Sequence, residues 1–311
     1  MKTDIGQLLL IFPPQLRGLL GALPWERVEE IRLRGGRPVE IVLHDGDYWL
    51  GQRGELITQA QLAEPLSPVA LTGCLELVTK NSLYALEEEL RGGYVTVEGG
   101  HRVGLVGRAI VRDGKVRSMR EIGGLNVRVA REVVGASSAL LPQLYNLEAD
   151  LYYRTLIISP PRAGKTTILR DLVRQVSDGW EGVGGRRVGL VDERSELAGT
   201  FRGVPQKDVG VRTDVLDACP KAQGIMMLLR SMSPQIIAVD EIGRPEDAQA
   251  LGEALNGGVG VFATAHAGCL EELEERPILR ELVEAKVFQR FVLLSRENGV
   301  GTIAWVRGVD G

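Results

Sequence analysis

Cysteine is scarce in this chain: Cys74, Cys219 and Cys269 are the whole complement, and their spacing matches neither a metal-ligand set nor a disulfide framework. A stapled secreted scaffold is therefore excluded, and a reducing cytoplasm is the expected setting. An excess of positive charge is lacking too, with 37 lysines and arginines against 41 acidic residues and a net charge of −4. Affinity for nucleic acid rests on neutralising phosphates, so no stable nucleic-acid partner is expected. Long apolar runs are missing: none reaches the roughly 18 residues of a spanning helix. The apolar residues 8–12 stop at Pro13 and Pro14, too short for the core of a signal peptide. Membrane association is expected to be peripheral, through partner proteins.

What remains is ordinary for a folded globular protein, with 44% apolar and 25% charged residues. The length of 311 residues suggests two domains. One local departure from the charge balance stands out between residues 102 and 131, where Arg102, Arg108, Arg112, Lys115, Arg117, Arg120, Arg128 and Arg131 gather. A solvated, partly interfacial face is the plain reading of that stretch, and a nucleic-acid patch is the alternative.

The first half reads as α+β. Residues 28–33 and 39–43 form a hairpin across Gly35-Gly36-Arg37-Pro38, and Asp45-Gly46 turns into a short strand at 48–50. Leu71, Cys74, Leu75 and Val78 fall at helical spacing, with Pro68 near the start and Asn81 near the end. Strands return at 94–97, 102–111 and 126–130, with Asp113-Gly114 as a hairpin turn. A short helix is expected over 137–145, and the domain boundary near residue 148, giving domains 1–147 and 148–311. Beyond it, apolar runs at 155–158, 188–191, 236–239 and 259–263 alternate with helical patterns at 166–176, 223–232 and 246–255. Such alternation predicts an α/β domain built on a parallel sheet, with ligands at the strand ends. Further strands at 287–294 and 301–306 complete it.

Between the first of these strands and its helix lies Ser159-Pro160-Pro161-Arg162-Ala163-Gly164-Lys165-Thr166-Thr167. A loop opening a helix aims free backbone N–H groups and the positive dipole end at anionic phosphates. Gly164 lets the backbone approach, Lys165 reaches the β- and γ-phosphates, and the Thr166 hydroxyl suits Mg²⁺. Serine at 159 stands where the usual pattern opens with glycine. The bland alternative is a proline-rich turn before an ordinary helix.

A second motif weighs against that alternative. Gln235-Ile236-Ile237-Ala238-Val239 is an apolar strand ending in Asp240 and Glu241, the form in which an aspartate holds Mg²⁺ and a glutamate orients water. His266 closes the next strand, either as a γ-phosphate sensor or as a satisfied strand-end histidine. Asp192-Glu193-Arg194-Ser195-Glu196 ends another strand, and Glu193 or Glu196 either helps position metal and water or belongs to a solvated turn. Arg230, counted with the candidate catalytic residues, follows an apolar helical face. It caps that helix or, on the sharper reading, works at a subunit contact.

Together these motifs resemble the stage III sporulation protein AA family. The likeness is carried by SPPRAGKTT at 159–167, VDERSELAG at 191–199, DVLDACPKAQG at 214–224, LRSMSPQIIAVDE at 229–241 and ATAH at 263–266. It extends into the first half through EIRLRGGRPV at 30–39 and GGHRVGLVGR at 99–108. That family is related to the ATPases of type II and type IV secretion and pilus assembly. The resemblance implies a RecA-like P-loop core behind a smaller N-terminal domain, Mg²⁺ and ATP as ligands, and hydrolysis in a ring, expected as a hexamer. It further implies a mother-cell location beside the forespore membrane, with membrane proteins of the sporulation channel as partners. In the related enzymes an acidic box and a histidine box correspond to residues 192–196 and to His266, and arginines from the N-terminal domain reach the phosphates. Arg102, Arg108, Arg120 and Arg128 are the candidates for that part. Two other readings stay open: a nucleotide-gated scaffold with negligible turnover, and a nucleic-acid translocase.

Overall fold

Alternating polarity builds the first sheet. In β1 (Val28–Arg34) the side chains of Val28, Ile31 and Leu33 are buried, and an irregularity between Val28 and Glu30 accounts for the shift in phase. The computed structural model describes residues 5–79 and 93–309, and it divides into two units, Met1–Arg131 and Glu132–Gly311. In the first unit β2 (Glu40–Leu43), β3 (Gly46–Leu50), β4 (Leu56–Ile57), β5 (Tyr94–Val97), β6 (His101–Arg112) and β7 (Lys115–Arg128) join β1 in the order β4-β3-β2-β1-β7-β6-β5. Every pairing is antiparallel. Helices α1 (Ile5–Leu9), α2 (Pro14–Leu20) and α3 (Pro68–Thr79) bury Leu8, Leu16, Leu20, Leu71, Cys74 and Val78 in the core of this sheet. The hairpin at Asp113-Gly114 forms as expected, with Arg112 facing Lys115. The helix expected from near Pro68 is described over Pro68–Thr79, and Asn81, expected near its end, lies outside the described residues.

Several arginines of the long hairpin have local partners. Arg128 pairs with Glu30 at 3.4 Å and Arg108 with Glu121 at 3.6 Å, while the Arg102 guanidinium lies 4.1 Å above the Tyr94 ring. The Arg108 pair is exposed on both sides, so its energetic weight is small.

The second unit opens with α4 (Leu141–Leu144) and a minimal hairpin of β8 (Tyr145–Asn146) and β9 (Leu151–Tyr152). Its main sheet runs β14-β13-β15-β16-β10-β17-β18. The members are β10 (Thr155–Ser159), β13 (Val188–Asp192), β14 (Thr213–Asp217), β15 (Ile236–Val239), β16 (Gly260–His266), β17 (Arg290–Ser295) and β18 (Thr302–Gly308). All pair in parallel except β17 with β18. A second small hairpin joins β11 (Gly179–Trp180) to β12 (Val183–Gly184). Strand β10 is buried along its whole length because both faces are covered. Ile157 faces the core formed with α5 (Lys165–Asp178), whereas Leu156 and Ile158 face the core shared with α6 (Lys221–Ser231) and α7 (Pro245–Asn256). The short helices α8 (Glu271–Glu274) and α9 (Pro277–Glu284) add Leu273, Leu279 and Leu282 to the latter.

Two sequence expectations shift here. The helix expected over 137–145 is confined to Leu141–Leu144, because the Ser137 backbone N–H and hydroxyl are taken by Asp171 at 2.8 and 2.9 Å rather than by a helical turn. The division falls after Arg131 rather than near residue 148, since Leu140, Leu141 and Leu144 pack into the α5-side core.

Candidate nucleotide and metal site

At the C-terminal end of β10 the chain turns through Pro160, Pro161, Arg162 and Ala163 into Gly164, which caps helix α5 with φ +93°. That left-handed conformation suits glycine, and no side chain caps the helix. The first N–H groups of a helix have no intrahelical acceptor, so this end is left able to receive an anion. Ser159 and Lys165 are buried, while Pro161 and Arg162 are exposed. The Ser159 hydroxyl lies 3.3 Å from the Lys165 ammonium, so the side chain that replaces the usual glycine takes a place beside the lysine.

Parallel pairing brings the neighbouring strand ends to the same level. His266 is the register partner of Ser159, and Val239, just before Asp240, is paired with Ala263. The Lys165 ammonium lies 2.7 Å from His266 Nδ1, and His266 Nε2 lies 2.9 Å from Glu241 Oε1. An ammonium donating to Nδ1 leaves the ring proton on Nε2, where it donates to Glu241. The other Glu241 oxygen pairs with Arg194 at 2.7 Å. Glu241 itself has φ +52°, a conformation a non-glycine residue adopts only when its surroundings hold it there. Its backbone N–H donates to the Thr264 hydroxyl at 2.8 Å, which supplies that hold.

Asp240 sits between two hydroxyls. Thr166 donates to it at 3.1 Å, and Thr264 donates to its other oxygen. Desolvation pushes the Asp240 carboxyl above the usual carboxylate range; Glu241 adds to this, and the two hydroxyls oppose it. Burial draws Lys165 below the usual lysine range, against the pull of Asp240 and Glu241. A carboxyl whose charge is costly and a lysine whose charge is opposed by burial both suit a site that gains a cation and a polyanion.

Of the remaining sequence candidates, Thr167 follows Thr166 in the first turn of α5. Glu193 lies beside this cluster but is already committed to Lys221 and, at 3.7 Å, to Arg244. The Glu196 carbonyl accepts from Arg170 and Lys207 at 2.8 and 2.9 Å, and the Asp192 carboxylate receives the backbone N–H groups of Glu196 and Ala198. Arg230 is not brought to the cluster; it lines a groove between α6 and α7 with Met226, Met227, Glu246 and Glu253. Arg194 and Thr264 were missed as partners of the two carboxylates. Both stand inside motifs visible in the sequence, and only the parallel register shows which carboxylate each meets.

The family described as sporulation stage III, protein AA matches residues 3–310. Stage III sporulation protein AA of Bacillus subtilis (strain 168) is 44% identical over 310 residues, 99% of this chain and 96% of that protein. The ATPase DotB of Legionella pneumophila superposes with a TM-score of 0.55 at 17% identity, over 88% of this chain and 74% of that one. The pilus retraction motor PilT, solved with bound ADP, gives 0.54 at 14% identity, over 86% of this chain and 74% of that one. Likeness at such low identity speaks for the fold alone, a RecA-like α/β core. With a match along nearly its whole length, the chain belongs to the sporulation stage III protein AA family.

Proposed function

We propose that this chain hydrolyses ATP with Mg²⁺ at the end of β10. The reading rests on one observation above the others: Lys165 of the phosphate loop is joined through His266 to Glu241 by contacts of 2.7 and 2.9 Å, beside an Asp240 bonded to Thr166. The loop 159–167 and the start of α5 receive the phosphates, with Lys165 supplying a mobile cation. Thr166 and Asp240 fit Mg²⁺, because both present hard oxygen atoms and, among the described residues, Asp240 is bonded by two hydroxyls and forms no salt bridge. Bound there, Mg²⁺ neutralises charge on the phosphate oxygens.

Glu241 receives the proton of the attacking water, and His266 fixes the orientation of its carboxylate. When Lys165 turns to the phosphates, His266 Nδ1 loses its donor, so nucleotide arrival is communicated to Glu241 through the imidazole. Family membership and the secretion-ATPase fold support the wider setting: a ring of copies, with a hexamer as the expected form, docked on membrane proteins at a mother-cell-to-forespore channel that it powers or gates. Arg230, in a groove away from the loop, is assigned to a contact between copies.

A second reading, a nucleotide-gated scaffold with negligible turnover, has one observation in its favour. Both Glu241 oxygens are engaged, one by His266 and one by Arg194, so an attacking water must compete for the lone pairs that remain. ATP turnover per subunit across a range of protein concentrations, for the parent and Glu241→Gln, separates the two. Hydrolysis in a ring predicts turnover that rises with concentration and falls about 100-fold in the variant. Equal, near-zero rates with intact ATP binding would leave the scaffold.

A further inference from the structure

We infer that the turn at residues 296–301, between β17 and β18, is the nucleoside end of the site, and that Val300 is the surface on which the base packs. The inference builds on the reading of the 159–167 loop as a phosphate cradle. Sheet order supplies the direction. The groups placed for the terminal phosphate lie on one flank of β10, where β16 ends in His266 and β15 runs into Asp240 and Glu241. Strand β17 is the neighbour on the other flank, with Ile158 level with Leu293. A nucleotide whose last phosphate meets Lys165 and His266 therefore extends away from β16, towards the turn that leaves β17.

That turn is fastened to the phosphate loop. The Gly301 backbone N–H donates to the Ala163 carbonyl at 3.0 Å. A side chain on Gly164 would meet the Gly301 backbone and a Val300 methyl at 3.1 Å, so the two backbones approach as closely as glycine permits. Gly301 has φ +88°, and a Cβ there would stand 3.8 Å from Ile168, the residue after Thr167. The turn thus covers the loop on the side where the first turn of α5 continues beyond its threonines. Val300 nonetheless leaves 67% of its surface exposed. Ligand sites pair a few polar anchors with apolar wall, and here the anchors occupy the β16 flank while the apolar side chain occupies the other.

The test titrates the full chain by calorimetry with Mg²⁺-ATP and with Mg²⁺-tripolyphosphate, which has the phosphates and no nucleoside. Val300→Ser, at an exposed turn position, should weaken ATP about five- to tenfold while leaving tripolyphosphate within about twofold, since only apolar contact is removed. Val300→Ile should keep ATP binding within about twofold. Equal weakening of both ligands in Val300→Ser, or unchanged ATP affinity, overturns the assignment. A parent chain that holds tripolyphosphate as tightly as ATP overturns it while the cradle stands; a parent that holds neither overturns both.

Discussion

Two aspartates are attached to helix α5, and their surroundings drive them in opposite directions. Asp171, within the helix and 3% exposed, accepts from the Gly135 and Ser137 backbones, the Ser137 hydroxyl, Arg174 and Gln175, at 2.8–3.1 Å. Burial alone would raise its carboxyl, but these donors together hold it below the usual carboxylate range. Asp240, bonded to Thr166 in the first turn of the same helix, has two hydroxyls, and desolvation keeps it above that range. The difference separates a carboxylate that structure has satisfied from one still short of positive charge. The first fastens the segment entering the second unit; the second, on the proposed function, belongs to a site that a cation completes.

The largest effect is expected at the satisfied member. Asp171→Asn puts an amide donor against backbone N–H groups that need an acceptor, and should cost about 2–4 kcal/mol in urea unfolding at pH 7. Because the folded-state carboxyl titrates below the unfolded value of about 3.9, its stabilisation is complete above that value and is lost as pH falls through the folded one. The gap between parent and variant should therefore close as pH drops below about 4. An unfolding midpoint that does not move at pH 7 would dissolve the contrast between the two aspartates.

This contrast is invisible in the sequence, and the reason is instructive. Ile168, Leu169, Leu172, Val173 and Val176 mark the inward face of α5, so Arg170 and Asp171 read as its solvent face. The structure buries both, because the carbonyls of Glu196 and Leu197 fold over Arg170 and residues 135–137 fold over Asp171. Cover supplied by irregular segments has no periodicity to betray it. The loop 159–167 and the pair Asp240-Glu241 were legible for the opposite reason: each follows a short apolar run, 155–158 or 236–239, that must be a buried strand, and is too polar to continue it. Strand β14 went unread because Thr213–Asp217 alternates weakly and lies at the sheet edge, half-exposed throughout.

The unsatisfied member should answer the same substitution with the opposite sign. Raised folded-state titration means that the stability linked to Asp240 is complete below the unfolded value and is lost as pH rises through the folded one. At neutral pH the ionised carboxylate is therefore a cost, and Asp240→Asn should stabilise the nucleotide-free chain by about 1 kcal/mol. In the parent, ATP and Mg²⁺ at 100 times their dissociation constant should add about 2.7 kcal/mol, an increment the variant should lose. Destabilisation of the free variant would mean that Asp240 is a structural group like Asp171.

The smallest effect sharpens the comparison within the polar edge itself. Glu241 shares that edge with Asp240 but has a cation already, from an Arg194 side chain that is 63% exposed. Exposed pairs are worth about 0–1 kcal/mol, so Arg194→Ala should leave the unfolding midpoint nearly unchanged. The same weakness lets the pair act as a restraint that a substrate readily displaces. Removing it frees one Glu241 oxygen, and turnover should rise by no more than about fivefold, the factor that a pair of this strength can impose. A fall in turnover would instead assign the Arg194 charge to the phosphates, and Glu241 would then be its resting place between rounds of hydrolysis.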